Sequence, residues 1–318
     1  MKHQFVTAWL TVLAFAFLMP VFAVAQTPRT PAEGSASPST AWGDPNLQGV
    51  WSHGTATPLE RPDEYAGREF LTSEEVAEGN RNATTFASSE RRGELTAERD
   101  VGLAYNQFWW DRGLSDGRTA LIIDPPDGKL PYTDEARNRG AGNRRPRVSD
   151  GPEGRNLWER CLTRGVPRLG GAYNNNFQLF QTPDHVVILH EMVHEARVVP
   201  LDGRPHVGAG IRQWNGDSRG HWEGDTLVID TTNFTSKTNY NGSTSGLHVV
   251  ERFTRADGHR LDYEVTVEDP TVWTQPWTAA LAMPMTEGQM YEYACHEGNY
   301  GMENLLRGAR VQEKAVSK

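Results

Sequence analysis

The segment Ile188-Leu189-His190-Glu191-Met192-Val193-His194-Glu195 carries the spacing HExxH. On an α-helix this spacing sets two imidazoles one turn apart, where they can share a zinc ion while the intervening glutamate activates a bound water. On a strand the same rings lie roughly 13 Å apart, at about 3.3 Å per residue, and one ion cannot hold both. The chemistry therefore depends on whether the segment coils or extends. Leu189, Met192, Val193 and Ala196 make a helical apolar stripe. Against it stand the β-branched runs Val186-Val187-Ile188 and Val198-Val199, and the turn residues Thr182-Pro183-Asp184 just before. A third ligand is missing too, because the extended zinc-peptidase pattern needs a histidine where Pro200 stands. The sequence predicts extended backbone over residues 186–199 with a bulge at Met192-Val193, and His190 and His194 as barrel-wall or pocket residues. Zinc held by His190 and His194 in a metallopeptidase is the alternative.

Other ionisable side chains fall among apolar neighbours of the same strand parity. Glu191 aligns with Val187 and Leu189, Glu251 with Leu247, Val249 and Phe253, and Tyr263 with Leu261 and Val265. On inward faces, desolvation would raise a carboxylate pKa toward the range useful for proton transfer. Glu191, His194 and Glu251 are accordingly the candidate acid and base, with Arg197 and Tyr263 orienting substrate or stabilising charge. The plainer alternative pairs these carboxylates with Arg197 or Arg252 in structural salt bridges. Candidate binding residues come from loops and strand ends: Trp109, Asp111 and Arg112 in "YNQFWWDRG", Asn175 in an asparagine triplet, His206 in "DGRPH", and His296 beside Cys295.

The elements that must position these groups are mostly strands. "NLQGVW" over residues 46–51 opens the folded part, Thr72-Ser73-Glu74-Glu75 is a capping box that predicts a helix over 72–82, and a second helix is predicted over 155–163. A strand is predicted over 118–124. From Phe177 onward strand follows strand: "FQLFQ", "HVVIL", "ARVVPL", "TLVIDTT", and "HVVERFTR" meeting "HRLDYEVTVED" across Asp257-Gly258. In the last, Leu261, Tyr263, Val265 and Val267 alternate with polar residues, so one face is buried. The expected fold is mainly β, an antiparallel meander closing into a barrel, with short N-terminal helices and long loops; a sandwich is the alternative.

Residues 1–25 read as a secretory signal, with a short polar start, an apolar run over 5–22 and the cleavage site Ala23-Val24-Ala25. Residues 26–44 read as a flexible leader poor in large apolar side chains, and 45–318 as one domain with a helical and loop extension at about 60–165. A net charge of −9 and a pI of 5.6 exclude nucleic acid as partner, whose phosphates demand a basic surface. The two cysteines of an exported chain, Cys161 and Cys295, predict one disulfide.

The segments "YNQFWWDRG", "LIIDPPDGKLP", "QTPDHVVILHEMVHEARVVPLDGRPH", "GDSRGHWEGDTLVIDTTNF", "HVVERFTRADG" and "YEYACHEGNY" together resemble a large family of exported bacterial proteins of unassigned activity. In distant members of that family the part matching "VVILHE" and "ARVVPLDGRPH" reads as two extended segments without HExxH, which counts against the peptidase alternative. "GVW" followed by an antiparallel meander is similar to lipocalin-like barrels.

A barrel of roughly eight to ten strands holds one small ligand in its mouth. The chain has no Walker loop or dinucleotide fingerprint, so no cofactor is expected, zinc entering only through the alternative above. The expectation is a periplasmic or extracellular protein, free of the membrane after signal cleavage, whose partner is a small or saccharide-like molecule. It would act on that molecule by carboxylate and histidine acid-base chemistry, as a lyase, hydratase, isomerase or hydrolase. A non-catalytic lipocalin-like binding protein is the rival.

Overall fold

Strand periodicity organises the second half of the chain, where apolar side chains at every other position make one face of each strand dry. The computed structural model describes residues 38–85, 113–141, 151–171, 173–238 and 240–316. Ten strands are present: β1 (Gly49–Ser52), β2 (Ile122–Asp124), β3 (Asn176–Gln181), β4 (His185–His190), β5 (Glu195–Pro200), β6 (Asp217–Glu223), β7 (Thr226–Thr232), β8 (His248–Arg255), β9 (Arg260–Glu268) and β10 (Trp277–Pro284). They form two antiparallel sheets, ordered β1-β3-β4-β5 and β2-β10-β9-β8-β7-β6. The expected Asp257-Gly258 hairpin joins β8 to β9, with Arg255 opposite Leu261, and the Thr182-Pro183-Asp184 turn joins β3 to β4, with Gln181 opposite Val186.

The inner faces of the two sheets meet in one apolar cluster. Trp51, Phe177, Leu179, Val186, Ile188 and Val199 come from the smaller sheet, and Leu227, Ile229, Val249, Leu261, Val265 and Trp277 from the larger. Each large apolar side chain taken out of water stabilises the fold by about 1.5–3 kcal/mol, which makes this cluster the main source of stability. At one junction of the sheets, Trp51 bridges Met285 and the Thr286 N–H donates to the Val50 carbonyl at 2.9 Å. At the other, β5 runs alongside β6. Gly220 makes that approach possible: a Cβ there would lie 2.6 Å from Leu201 Cδ2 and 3.0 Å from Val199 Cγ1. No ladder joins the sheets at either junction among the described residues.

Among the described residues three α-helices accompany the sheets: α1 (Ser73–Thr85), α2 (Asp134–Asn138) and α3 (Tyr300–Val316). The capping box at α1 forms as expected, with the Thr72 N–H donating to Glu75 Oε2 at 2.7 Å and the Glu75 N–H to Thr72 Oγ1 at 3.3 Å. None of the described helices is long and apolar enough to cross a membrane. The Cys161–Cys295 disulfide is formed and closes a separation of 134 residues.

Several expectations are corrected. Residues 157–161 are hydrogen-bonded turns, not a helix, and Cys161 has a left-handed backbone at φ 55° that no helix accommodates. Only residues 122–124 of the strand expected over 118–124 are extended in a ladder. Residues 38–44, expected as leader, include a turn in which the Thr40 N–H donates to Asp44 O at 2.8 Å and the Asn46 N–H to Pro38 O at 2.7 Å. The signal peptide lies outside the described residues. Finally, residues 186–199 are not one bulged strand but a hairpin: β4 ends at His190, β5 begins at Glu195, and Val193 and His194 turn the chain with φ of 67° and 53°.

Candidate functional site

That hairpin decides which ionisable groups reach the interior. On β4 the buried line is Val186, Ile188 and His190, while Val187 and Leu189 stay half-exposed. On β5 the buried line is Arg197 and Val199. Across the core, β8 turns Val249, Glu251 and Phe253 inward, and β9 turns Leu261, Tyr263, Val265 and Val267 inward. These lines enclose a cavity with about 300 Å³ of space unoccupied by atoms, part of it open to solvent. Its polar lining is His53, Arg168, His190, Arg197, Glu251 and Tyr263, and its apolar lining is Val166, Phe177, Ile188, Phe253 and Met283. An apolar chamber with a few convergent polar groups is the usual form of a small-molecule site.

Two ionic networks run through the wall. Arg197 Nη1 donates to Glu251 Oε2 in a very short contact, and Tyr263 donates its hydroxyl proton to Glu251 Oε1 at 3.0 Å. Arg168 Nη2 donates to Glu195 Oε2 at 2.7 Å, and the same oxygen accepts from the Thr163 hydroxyl at 2.6 Å. Asn215 Nδ2 donates to the other Glu195 oxygen. Both pairs are almost wholly buried. Burial alone would lower the Arg197 pKa, but Glu251 outweighs it and holds the guanidinium charged. Burial, then the adjacent Glu251 charge, keeps the Tyr263 phenol protonated well above its ordinary value.

The two imidazoles differ from the rest of the lining in that they are left without partners. His53 Nδ1 and Nε2 and His190 Nδ1 are buried and accept or donate no hydrogen bond among the described residues, as are Arg168 Nε and Arg197 Nε. The rings stand edge to face with centroids 6.0 Å apart, and Phe177 packs against both. Burial, then the charges of Arg168 and Arg164, pushes the His53 pKa down to about 3. Burial, then Arg168, His53 and Arg197, pushes His190 well below its ordinary value. Both rings are therefore neutral at pH 7 and free to accept a proton or a hydrogen bond. His53 follows β1 and is held by its own N–H, which donates to Asn175 O at 3.0 Å.

Of the residues singled out from sequence, Arg197, Glu251 and Tyr263 meet at the cavity. Glu191 and His194 do not line it: Glu191 is buried in the turn after β4, its Oε2 without a partner among the described residues, and His194 is exposed on that turn. The α-helix that a zinc ion shared by His190 and His194 requires is absent, since one ring faces the cavity and the other faces solvent. Among the described residues no group of three or more His, Cys, Asp or Glu is arranged to hold a metal ion. Asn175 supports His53 from behind, and His296 is exposed beside the disulfide. Trp109, Asp111 and Arg112 lie outside the described residues. Sequence reasoning missed His53 and Arg168, and took His190 as a barrel-wall or pocket residue, or alternatively a metal ligand, without giving it a catalytic role. The parity of Trp51 and His53 was a usable signal for the first; Arg168, in a Gly- and Pro-broken loop, offered none.

His206 lies elsewhere, in a chain of groups on the outer face of the larger sheet. Asp217 Oδ2 meets His206 Nδ1 at 2.9 Å, His206 Nε2 meets Asp230 Oδ1 at 2.9 Å, Asp230 Oδ2 meets His248 Nε2 at 2.8 Å, and His248 Nδ1 meets Glu268 Oε1 at 2.7 Å. Arg219 caps one end on Asp217 at 2.7 Å. The Asp230 hydrogen bond, joined by Glu268 and opposed by burial, pushes the His248 pKa up to about 9. A raised imidazole pKa contributes stability that is complete below the unfolded value near 6.5 and lost as pH rises through about 9. With the ring only half-buried, solvent screening reduces that contribution to about 1 kcal/mol. The thermal midpoint should therefore fall between pH 7 and 10, and His248→Gln should flatten that limb; an unchanged slope in the variant would show that the ion chain does not titrate with folding.

Compared with known proteins, the chain matches no family model and no curated protein.

Proposed function

We propose that this chain is an exported small-molecule enzyme that moves protons with imidazole and carboxylate groups, as a lyase, hydratase or isomerase does. The observation that carries this reading is the pair of buried, neutral imidazoles with unpartnered ring nitrogens beside two charged guanidinium groups in the cavity. A neutral ring in such a place takes up a proton only when substrate provides compensating charge, and fixed cations stabilise the oxyanion or carbanion that proton abstraction generates. His190 is the proposed base, with His53 as its companion. Arg197, oriented by Glu251 and Tyr263, stabilises developing charge. The role first given to Glu191 and His194 thus passes to the neighbouring inward residue of the same hairpin.

A barrel-like closure of the two sheets, similar to lipocalins, is part of the proposal. The Trp51–Met285 bridge at one seam and the β5–β6 approach at the other support it. So does the Arg255 guanidinium, which lies 5.3 Å from the centre of the buried Trp51 ring and donates to Asn46 O at 2.8 Å. The disulfide supports passage into an oxidising compartment, as the signal-like residues 1–25 and the resemblance to exported bacterial proteins imply.

Proton abstraction is directly visible as deuterium uptake from heavy water into members of a panel of small carbonyl and hydroxy compounds, followed by NMR. For a compound that exchanges, His190→Gln should lower kcat by about 10²–10⁴-fold, with Glu191→Gln and His194→Gln near wild type. Wild-type turnover in both His190→Gln and His53→Gln would remove the imidazoles from the mechanism. A second reading, a non-catalytic ligand-binding protein, is favoured by one observation: both Glu251 oxygens are already engaged, by Arg197 and by Tyr263. It requires ligand retention without any exchange.

A further inference from the structure

The charges around the cavity do not balance. Arg197 is matched by Glu251 and Arg168 by Glu195. A third guanidinium, Arg164, stacks on the Trp158 ring at 5.5 Å and has lost part of its hydration to burial, yet no carboxylate pairs with it among the described residues. It sits at the back of the same site. A Cβ on Gly171 would fall 3.4 Å from Arg164 Nη2 and 2.3 Å from Oδ1 of Asn175, the residue whose backbone holds His53. Among the described residues these three cations meet two carboxylates, Glu251 and Glu195, while the buried Glu191 carboxylate pairs with none of them and both imidazoles are neutral. The charges acting most strongly on the two rings are all cationic: Arg168 and Arg164 on His53, Arg168 and Arg197 on His190. Buried charge without a counter-charge is costly, and a bound anion relieves that cost.

We infer that the cavity is an anion site whose ligand is a small organic monocarboxylate with a short apolar tail. The carboxylate takes the positive end formed by Arg168, Arg197 and the two rings, where Arg168 Nε, Arg197 Nε and His190 Nδ1 are buried without partners among the described residues. The guanidinium fork suits a planar oxoacid, which accepts two parallel N–H donors. The tail takes the wall of Phe177, Ile188, Phe253 and Met283, which an inorganic anion would leave uncovered. The inference names the ligand for the cavity proposed above, but it concerns binding and holds whether or not a bound acid is turned over.

The test is calorimetric titration of the full mature chain with sodium butyrate, butyramide, 1-butanol and sodium nitrate at constant ionic strength. Butyrate should bind at least 10-fold more tightly than butyramide or 1-butanol, and at least 10-fold more tightly than nitrate. Replacing the ion pair as a unit, Arg168→Met with Glu195→Gln, removes one cation and one anion together and leaves no buried charge orphaned. It should weaken butyrate at least 10-fold and change butyramide less than 3-fold. Equal affinity for butyrate and butyramide would overturn the anion site while leaving a ligand cavity standing. Equal affinity for butyrate and nitrate would overturn the organic tail. Failure of every probe to bind protein that still unfolds cooperatively would overturn both the inference and the cavity reading, whereas butyrate binding without deuterium exchange in any compound would count only against the enzyme.

Discussion

Arg197→Met should cost about 3–5 kcal/mol of stability, the largest loss expected from a single substitution in the cavity wall. The substitution removes one charge and leaves Glu251 buried with only the Tyr263 hydroxyl as donor. Both partners are more than nine-tenths buried, so water cannot replace the lost guanidinium without opening the core. Methionine fills similar volume, which keeps cavity formation from adding to the effect. The double variant Arg197→Met/Glu251→Leu removes both charges and should recover most of the loss, because hydrophobic replacement of a buried ion pair is often neutral or better. Urea denaturation gives the comparison. A single variant that loses less than about 1 kcal/mol would mean that Glu251 reaches solvent or another cation, and the ionic wall described here would be wrong.

The same cluster marks how far the sequence alone could be read. Glu251 and Tyr263 were legible because β8 and β9 alternate over eight and nine residues, long enough for parity to fix their inward face. Arg197 was legible as a companion. Glu191 was not, because β4 is short and apolar on both faces: Val187 and Leu189 resemble Val186 and Ile188 in type, and nothing in composition says which line is dry. Reading the wrong line moves every side chain to the opposite face, which exchanged His190 for Glu191. The hairpin at residues 191–194 was hidden for a related reason. Its turn is made by Val193 and His194 at positive φ, residues that seldom adopt that conformation and so carry no turn signal. Strand β10 was missed because Thr278, Ala280 and Ala282 separate its buried residues without a polar contrast. Helix α3 was missed although its sequence is amphipathic at the helical period, so the signal was present and went unread. The disulfide was legible from two cysteines alone, while the loop that brings Arg164 and Arg168 to the cavity has neither period nor motif.

Acid should unfold this protein earlier than its carboxylates alone would. His53, held down at about 3, and His190, also held well below its ordinary value, stay neutral in the folded chain and titrate near 6.5 once unfolded. Below that pH the unfolded state binds protons that the folded state refuses, so stability falls as pH falls. Each ring contributes a slope of up to about 1.4 kcal/mol per pH unit, and the two together remove about 4 kcal/mol by pH 5. His248 has the opposite sign, since its raised pKa leaves its contribution intact throughout this range. Urea midpoints between pH 7 and 5 measure the effect, and the slope isolates it: whatever its absolute stability, His53→Gln/His190→Gln should vary in stability less than half as steeply. A wild-type slope in the double variant would show that the rings are not held neutral. Saturating butyrate should blunt the wild-type slope as well, because a carboxylate seated against both rings supplies the counter-charge whose absence keeps them deprotonated, so that the acid limb of stability and the identity of the ligand report on one electrostatic imbalance.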